Sequence, residues 1–243
     1  MNQKELTAPI ERISLMSLMT ELMVALHKVF WPFLEQQKFK AIRPLKQQDE
    51  RNWILCPSYR VKRKVCIHTV DVQYDRFREY FCVNMGVHFR FLPLTFNEEL
   101  PTPHKTQTSM CMFNHRLSPD GGDHWWEVTN ARDATLESVR DVIRVFDETG
   151  LAFFETYGVL PGPYESITIA GLDSGEYQKF IPRTDLRLSP SMIASVMAYI
   201  SKYLGNDEAS KEFEQYALSR IHERFQHRTE KYLRFLDDPT RTE

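Results

Sequence analysis

Leu15, Met19, Leu22, Leu26, Val29, Phe30 and Phe33 fall at steps of three and four residues, so a helix carries them on one face. Met16, Met23 and Val24 widen the stripe, which predicts cover on more than one side. Pro32 has no N–H to donate and disfavours a helical Trp31, so a kink or restart is expected there. From Phe39 to Phe91 the period drops to two. Residues 53–56, 64–74 and 79–91 are rich in β-branched and aromatic side chains, with short polar breaks. In the third run Phe81, Val83, Met85, Val87, Phe89 and Phe91 alternate with Tyr80, Cys82, Asn84, Gly86, His88 and Arg90. That alternation predicts a strand with the first set on a core face and the second opposite. The short breaks predict an antiparallel meander, and Pro93, Pro101 and Pro103 mark an irregular connection after it.

The second half returns to helix. A Pro119-Asp120-Gly121-Gly122 turn separates residues 109–117 from Asp123-His124-Trp125-Trp126-Glu127-Val128. A helix is expected from about Asp133 or Thr135 to Tyr157, with Leu136, Val139, Ile143, Phe146, Phe153 and Phe154 inward and Gly158 as a left-handed C-terminal residue. After Pro161-Gly162-Pro163, residues 166–170 and 177–181 read as a short strand pair around an Asp173-Ser174-Gly175 turn. Ser189-Pro190 opens a helix that Gly205-Asn206 closes. Asp207 caps a last helix carrying Phe213, Ala217, Ile221, Phe225, Tyr232 and Leu236, with a break near Arg228-Thr229. The expected organisation is an α+β domain over 1–158, a linker with the short strand pair over 159–188, and a helical hairpin over 189–243. The fold class is α+β, an antiparallel sheet of about five strands flanked by long helices.

Of the 243 residues, 42% are hydrophobic and 12% aromatic, which excludes intrinsic disorder. The formal charge of -2 excludes a chain that is a nucleic-acid polycation as a whole. No apolar run approaches the roughly 18–20 residues that span a bilayer, so no membrane partner is expected. Met1-Asn2-Gln3-Lys4-Glu5-Leu6 is not followed by a compact apolar stretch, so no signal peptide is read there. Four cysteines without a C-x-x-C pair predict reduced thiols and a cytoplasmic location.

Catalytic chemistry finds little support. Cys111 and His115, with His104 and His124, lack the paired spacings of a zinc site, so no metal is expected. The chain has no G-x-S-x-G, no P-loop and no G-x-G-x-x-G, so no catalytic residue and no cofactor is assigned.

Binding surfaces are better represented. Between Lys38 and Lys64 nine Lys/Arg stand against Asp49 and Glu50; Arg51, Arg60, Lys62, Arg63 and Lys64 form the patch, with Trp53 and Tyr59 interleaved. Cations and stacking rings together suit nucleic acid, whereas lysines guarding a sheet edge suit a solvated hairpin. If residues 123–128 are extended, Trp125 and Trp126 point to opposite faces, one inward and one outward beside His115 and Arg116. Asn84, His88, Arg90, His115, Arg116, Trp125 and Trp126 are the expected ligand or partner groove. The tail stripe with Phe213, Ile221 and Phe225 needs cover from the sheet domain, a second copy or another protein, and a protein–protein interface is expected there.

Several segments together resemble a known family. Trp31-Pro32-Phe33-Leu34 with Gln37-Lys38-Phe39-Lys40 is similar to the "L-x(n)-G-F-K-K" opening of the bacterial family called domain of unknown function 4304. Val70-Asp71-Val72-Gln73 and Phe81-Cys82-Val83-Asn84-Met85-Gly86-Val87 resemble its "lQ … F-x-V-N-x-G" segment. His115-Arg116, Asp123-His124-Trp125-Trp126 and Gly150-Leu151-Ala152-Phe153-Phe154 resemble its "R … D-x-W-W" and "glpff" segments. The ordered set covers residues 15–158. Gln37-Lys38 departs from it, standing where the family usually has Gly, and the loop before Cys111 is long. The resemblance implies a cytosolic bacterial α+β domain and supplies no catalytic residues. The expected function is a non-enzymatic interaction protein, in a toxin–immunity or phage-defence system, with a protein partner or a second copy of itself. The alternatives are an enzyme or small-ligand binder with a pocket near Asn84, His88, His115 and Trp125, and nucleic-acid binding through residues 38–64.

Overall fold

Pro32 cannot close an α-helical hydrogen bond, and the helix around it widens instead of kinking. In the computed structural model, which describes residues 18–43, 46–48, 52–94, 99–182, 188–221, 223–234 and 236, the first helix (α1) runs over residues 18–36. Leu26–Phe30 is a π turn, closed by the Trp31 N–H on Leu26 O, and Pro32 begins the α-helical segment Trp31–Gln36. Leu18, Leu22, Ala25, Leu26, Phe30, Phe33 and Leu34 are buried along it. The stripe positions Leu15 and Met16 lie outside the described residues. At its C-terminus the Phe39 N–H reaches Leu34 O (2.9 Å) and the Lys38 N–H reaches Glu35 O (2.9 Å). This is a Schellman closure, and it puts Lys38 at φ 66°, in the left-handed region.

The sheet is antiparallel, built from β1 (Lys40–Ala41), β2 (Lys46–Gln48), β3 (Asn52–Lys62), β4 (Cys66–Asp75), β5 (Tyr80–Phe89), β6 (Phe113–Arg116) and β7 (Trp126–Glu127). The order is β1-β3-β4-β5-β6, with β2 also on β3 and β7 also on β5. The register pairs Phe81 with Trp126 and Tyr80 with Glu127. On β5 Phe81, Val83, Met85, Val87 and Phe89 are all buried, as the alternation predicts. The opposite face is not open, however: Cys82 and His88 are buried too, and only Tyr80 is exposed and Asn84 half-buried.

The second long helix (α2) spans residues 132–157 and carries a second π turn at Phe146–Gly150. There Thr149 Oγ1 donates to Val145 O at 2.9 Å, competing with the backbone ladder. Three further structured segments depart from expectation. Gly158 is not left-handed; it is a glycine because a Cβ would lie 2.3 Å from His68 Nε2. Residues 166–181 form no strand pair: Thr168 caps the helix α3 (Ile169–Ser174), its Oγ1 accepting from the Gly171 N–H, and Gly175 at φ 81° ends it. Local capping prevails over β-branched composition here. The tail is three helices, α4 (Pro190–Tyr203), α5 (Asp207–Arg220) and α6 (Glu223–Leu233), with the break at Ile221, where ψ is 139°, rather than near Arg228-Thr229.

Two compact units emerge. The first takes the described residues of Met1–Arg60, Thr69–Met85 and Arg116–Ala152. Its core joins α1 and α2: Phe146 lies edge-on to Phe30 (6.4 Å), Phe33 (5.5 Å) and Phe39 (6.4 Å). The second takes Val61–His68, Gly86–His115 and the described residues of Phe153–Glu243. There Tyr164 packs on Phe89 and Phe113, Phe91 stacks on Tyr203, and His68 stacks on Phe154. The helix α4 is buried from Ile193 to Ser201. Ser210 Oγ donates to Ala198 O (2.8 Å) and Tyr199 OH to Tyr232 O (2.5 Å), locking α5 and α6 onto it. Phe213 is therefore core, not interface, because its own unit supplies the cover that the stripe requires. Ile221 is half-buried, and the Phe225 side chain lies outside the described residues.

Candidate functional site

Opposite Phe81 and Val83, β5 presents Cys82 and Asn84, and β4 presents Asp71 and Gln73 to the same network. Asn84 is its hub. Its Nδ2 donates to Asp71 Oδ1 at 3.0 Å and to Gln73 Oε1 at 3.3 Å, while its Oδ1 accepts from Arg116 Nε at 3.5 Å and lies 3.9 Å from Cys82 Sγ. Asp71 is 4% exposed, a depth a carboxylate tolerates only when donors face it.

Arg116 carries this network to the surface. Its Nη1 pairs with Asp123 Oδ1, and its guanidinium lies 4.7 Å from the centre of the Trp125 ring. Trp125 Nε1 donates to Asp123 Oδ2 at 3.3 Å, so ring, cation and carboxylate hold one another. The preceding turn is also fixed: Asp120 Oδ1 accepts from Ser118 Oγ (2.6 Å) and the Gly122 N–H (3.0 Å), with Gly121 at φ 77°. Opposed to Phe81, Trp126 is forced inward. It stacks on Phe81 at 5.9 Å and donates Nε1 to Asp141 Oδ2 at 2.9 Å. The tryptophan pair thus divides as the sequence predicts, with Trp125 half-buried at the surface.

Of the expected groove, the structure brings Asn84, Arg116 and Trp125 together. His88 takes another role. Fully buried, it accepts the Met112 N–H at Nδ1 (3.0 Å) and faces Leu92 O with Nε2 (3.0 Å), and burial lowers its pKa to about 4. It is a neutral structural clamp, as the two backbone contacts require. Arg90 Nη1 donates to Lys64 O at 2.9 Å, and His115 stacks on Phe153 at 5.6 Å. Trp126 belongs to the core.

The basic segment does not act as one surface. Arg60 lies over Phe39 (4.6 Å) and donates Nη1 to Gln37 O (3.0 Å). Lys62, Arg63 and Lys64 form the exposed tip of the β3–β4 hairpin, with Arg63 and Lys64 both at positive φ (51° and 62°). Trp53 and Tyr59 are half-buried, and Arg51 lies outside the described residues.

Sequence reasoning missed Asp71, Gln73 and Asp123 as partners of Asn84 and Arg116. The i, i+2 spacing of Asp71 and Gln73 on a strand was the signal available. It also missed a cleft of about 440 Å³ beside α1, lined by His27, Trp31, Glu35, Phe39, Lys40, Ala41, Arg43 and Cys56. The three α1 residues recur every fourth position. All four cysteines are buried and free, and burial pushes the Cys56 thiol up to about 12, so it is no nucleophile at neutral pH. Among the described residues no cluster of His, Cys, Asp and Glu is placed to hold a metal ion, and no helix is long and apolar enough to cross a membrane.

The motif order read from the sequence agrees with comparison against known families. Residues 56–156 match the family described as Domain of unknown function (DUF4304). This DUF4304 segment contains Asn84, Arg116 and Trp125 with their partners, and all of the cleft except Cys56 precedes it. No curated protein and no solved structure matches the chain.

Proposed function

We propose that the chain is a non-enzymatic interaction protein that engages a protein partner through the surface centred on Trp125 and Arg116. The stack of Trp125 on Arg116, pinned by Asp123, carries this reading. Tryptophan and arginine dominate binding hot spots, and a pre-fixed pair loses little side-chain entropy on docking. Both Asn84 amide hydrogens and its carbonyl oxygen are already engaged by protein groups, which supports a scaffold role for Asn84 rather than the reading of a small ligand. A toxin–immunity or phage-defence system is the setting we assign to the partner.

The test is affinity capture from the native host with wild-type chain and Trp125→Ala, quantified by mass spectrometry. A partner held by the wild type and reduced at least about tenfold by the variant, with an unchanged circular dichroism spectrum, supports the reading. An identical set of captured proteins overturns it. A neighbouring toxin or defence-nuclease gene supports the proposed setting, and a metabolic operon overturns it.

A further inference from the structure

The cleft beside α1 lies away from the hydrogen-bonded network around Asn84 and has a different chemistry. Its floor sits where the β3 ladder is interrupted. Ser58 pairs with Ala41 and Pro57 O accepts the Ile42 N–H (2.7 Å), while Leu55 already pairs with Lys46. Cys56, between them, is held at φ 49°, and its carbonyl oxygen accepts from Ser58 Oγ (2.7 Å). A second left-handed residue, Lys38, delivers Phe39 to the wall, and the π turn sets the spacing between His27 and Trp31. Three departures from regular backbone therefore surround one cleft, and such departures concentrate at binding sites. The volume, about 440 Å³, falls in the range of small-molecule sites.

The lining specifies the ligand class. Trp31 and Phe39 offer aromatic walls, and Phe39 is stiffened from behind by the Arg60 guanidinium. Lys40 and Arg43 are exposed cations against one carboxylate, Glu35, with His27 as a further donor. None of these four polar side chains makes an ion pair or side-chain hydrogen bond among the described residues, in contrast to the internally satisfied Asn84 network. Two fixed cations facing one carboxylate leave room for a single negative charge. We propose that this cleft is a second binding site, which takes a small planar aromatic monoanion with its ring against Trp31 and its acid group toward Lys40 and Arg43.

The full chain labelled with 5-fluorotryptophan, its Trp31 signal assigned through Trp31→Phe, tests this by fluorine NMR with 2-naphthoate as the probe. The expected result is a saturable shift of the Trp31 signal at submillimolar probe. The neutral 2-naphthamide should bind at least about tenfold more weakly, and so should 2-naphthoate to the Lys40→Glu, Arg43→Glu double variant, since an exposed charge pair contributes on that scale. Both substitutions are on exposed residues, and circular dichroism checks that the variant is folded. No saturable shift, a shift confined to other tryptophans, equal binding of the neutral analogue, or unchanged binding by the double variant each overturns the proposal.

Discussion

Phe30 and Phe146 meet edge to face, ring centroids 6.4 Å apart, and each ring belongs to the π turn of its own helix. A π turn pushes its residues outward relative to an α turn, and here the two bulges face each other. Gly150 completes the fit, since a Cβ there would stand 3.1 Å from Met85 Sδ and from the Phe146 ring. Phe146→Ala should remove three edge contacts at once and cost about 3–5 kcal/mol, read as a lowered denaturant midpoint. A loss below about 1 kcal/mol would show that this junction is not core.

Lys38 occupies the left-handed position that closes α1, where a glycine carries no Cβ penalty. Lys38→Gly should raise stability by about 1 kcal/mol, observed as a higher melting temperature. A drop would mean that the lysine side chain contributes more than its backbone strain.

Gly158 presents the reverse case. Its φ is not positive, yet Gly158→Ala would drive a methyl group into His68 Nε2 and Phe154 O. Overpacking of this kind should cost about 1–3 kcal/mol in chemical denaturation. A neutral substitution would place the end of α2 farther from His68 than it stands here.

His88 makes stability depend on pH. Burial lowers its folded-state pKa to about 4, against 6.5 for the free side chain. Between those values the unfolded chain binds a proton that the folded chain refuses. This contribution is therefore complete above about pH 6.5 and is lost as pH falls toward 4, amounting to about 3 kcal/mol. Histidine NMR signals should show His88 neutral at pH 5.5, and a titration midpoint between 6 and 7 would refute the assignment.

The two adjacent tryptophans should separate stability from surface function. Trp126→Ala should cost about 3–5 kcal/mol, because it empties the site against Phe81 and strands Asp141. Trp125→Ala should cost under about 1 kcal/mol by the same denaturation measurement. Equal losses would mean that Trp125 is also core.

What was legible in the sequence was what neighbouring residues decide. Strand alternation gave Phe81 to Phe89 their buried face and split Trp125 from Trp126, because parity along an extended chain is a local property. The burial of His88 was not legible, since Met112, 24 positions away, supplies the N–H that caps its ring. The stripe through Phe213 demanded cover, but nothing in its spacing said that α4 and a returning α6 would supply it. The strand pair expected over residues 166–181 failed for the opposite reason: the caps at Thr168 and Gly175 are local signals, and the β-branched composition masked them.

Counting residues rather than naming them brings out one more property of α1. A π turn holds one residue more than α-helical closure needs, so Leu26–Phe30 behaves as a built-in insertion. Deleting a single position there would restore regular winding and rotate everything downstream by about 100°. Phe33 would swing away from Phe146, and Trp31 and Glu35 would leave the cleft together. Side chains along α1 can vary within their size and polarity, whereas the length of the chain between Leu26 and Pro32 is fixed to the residue.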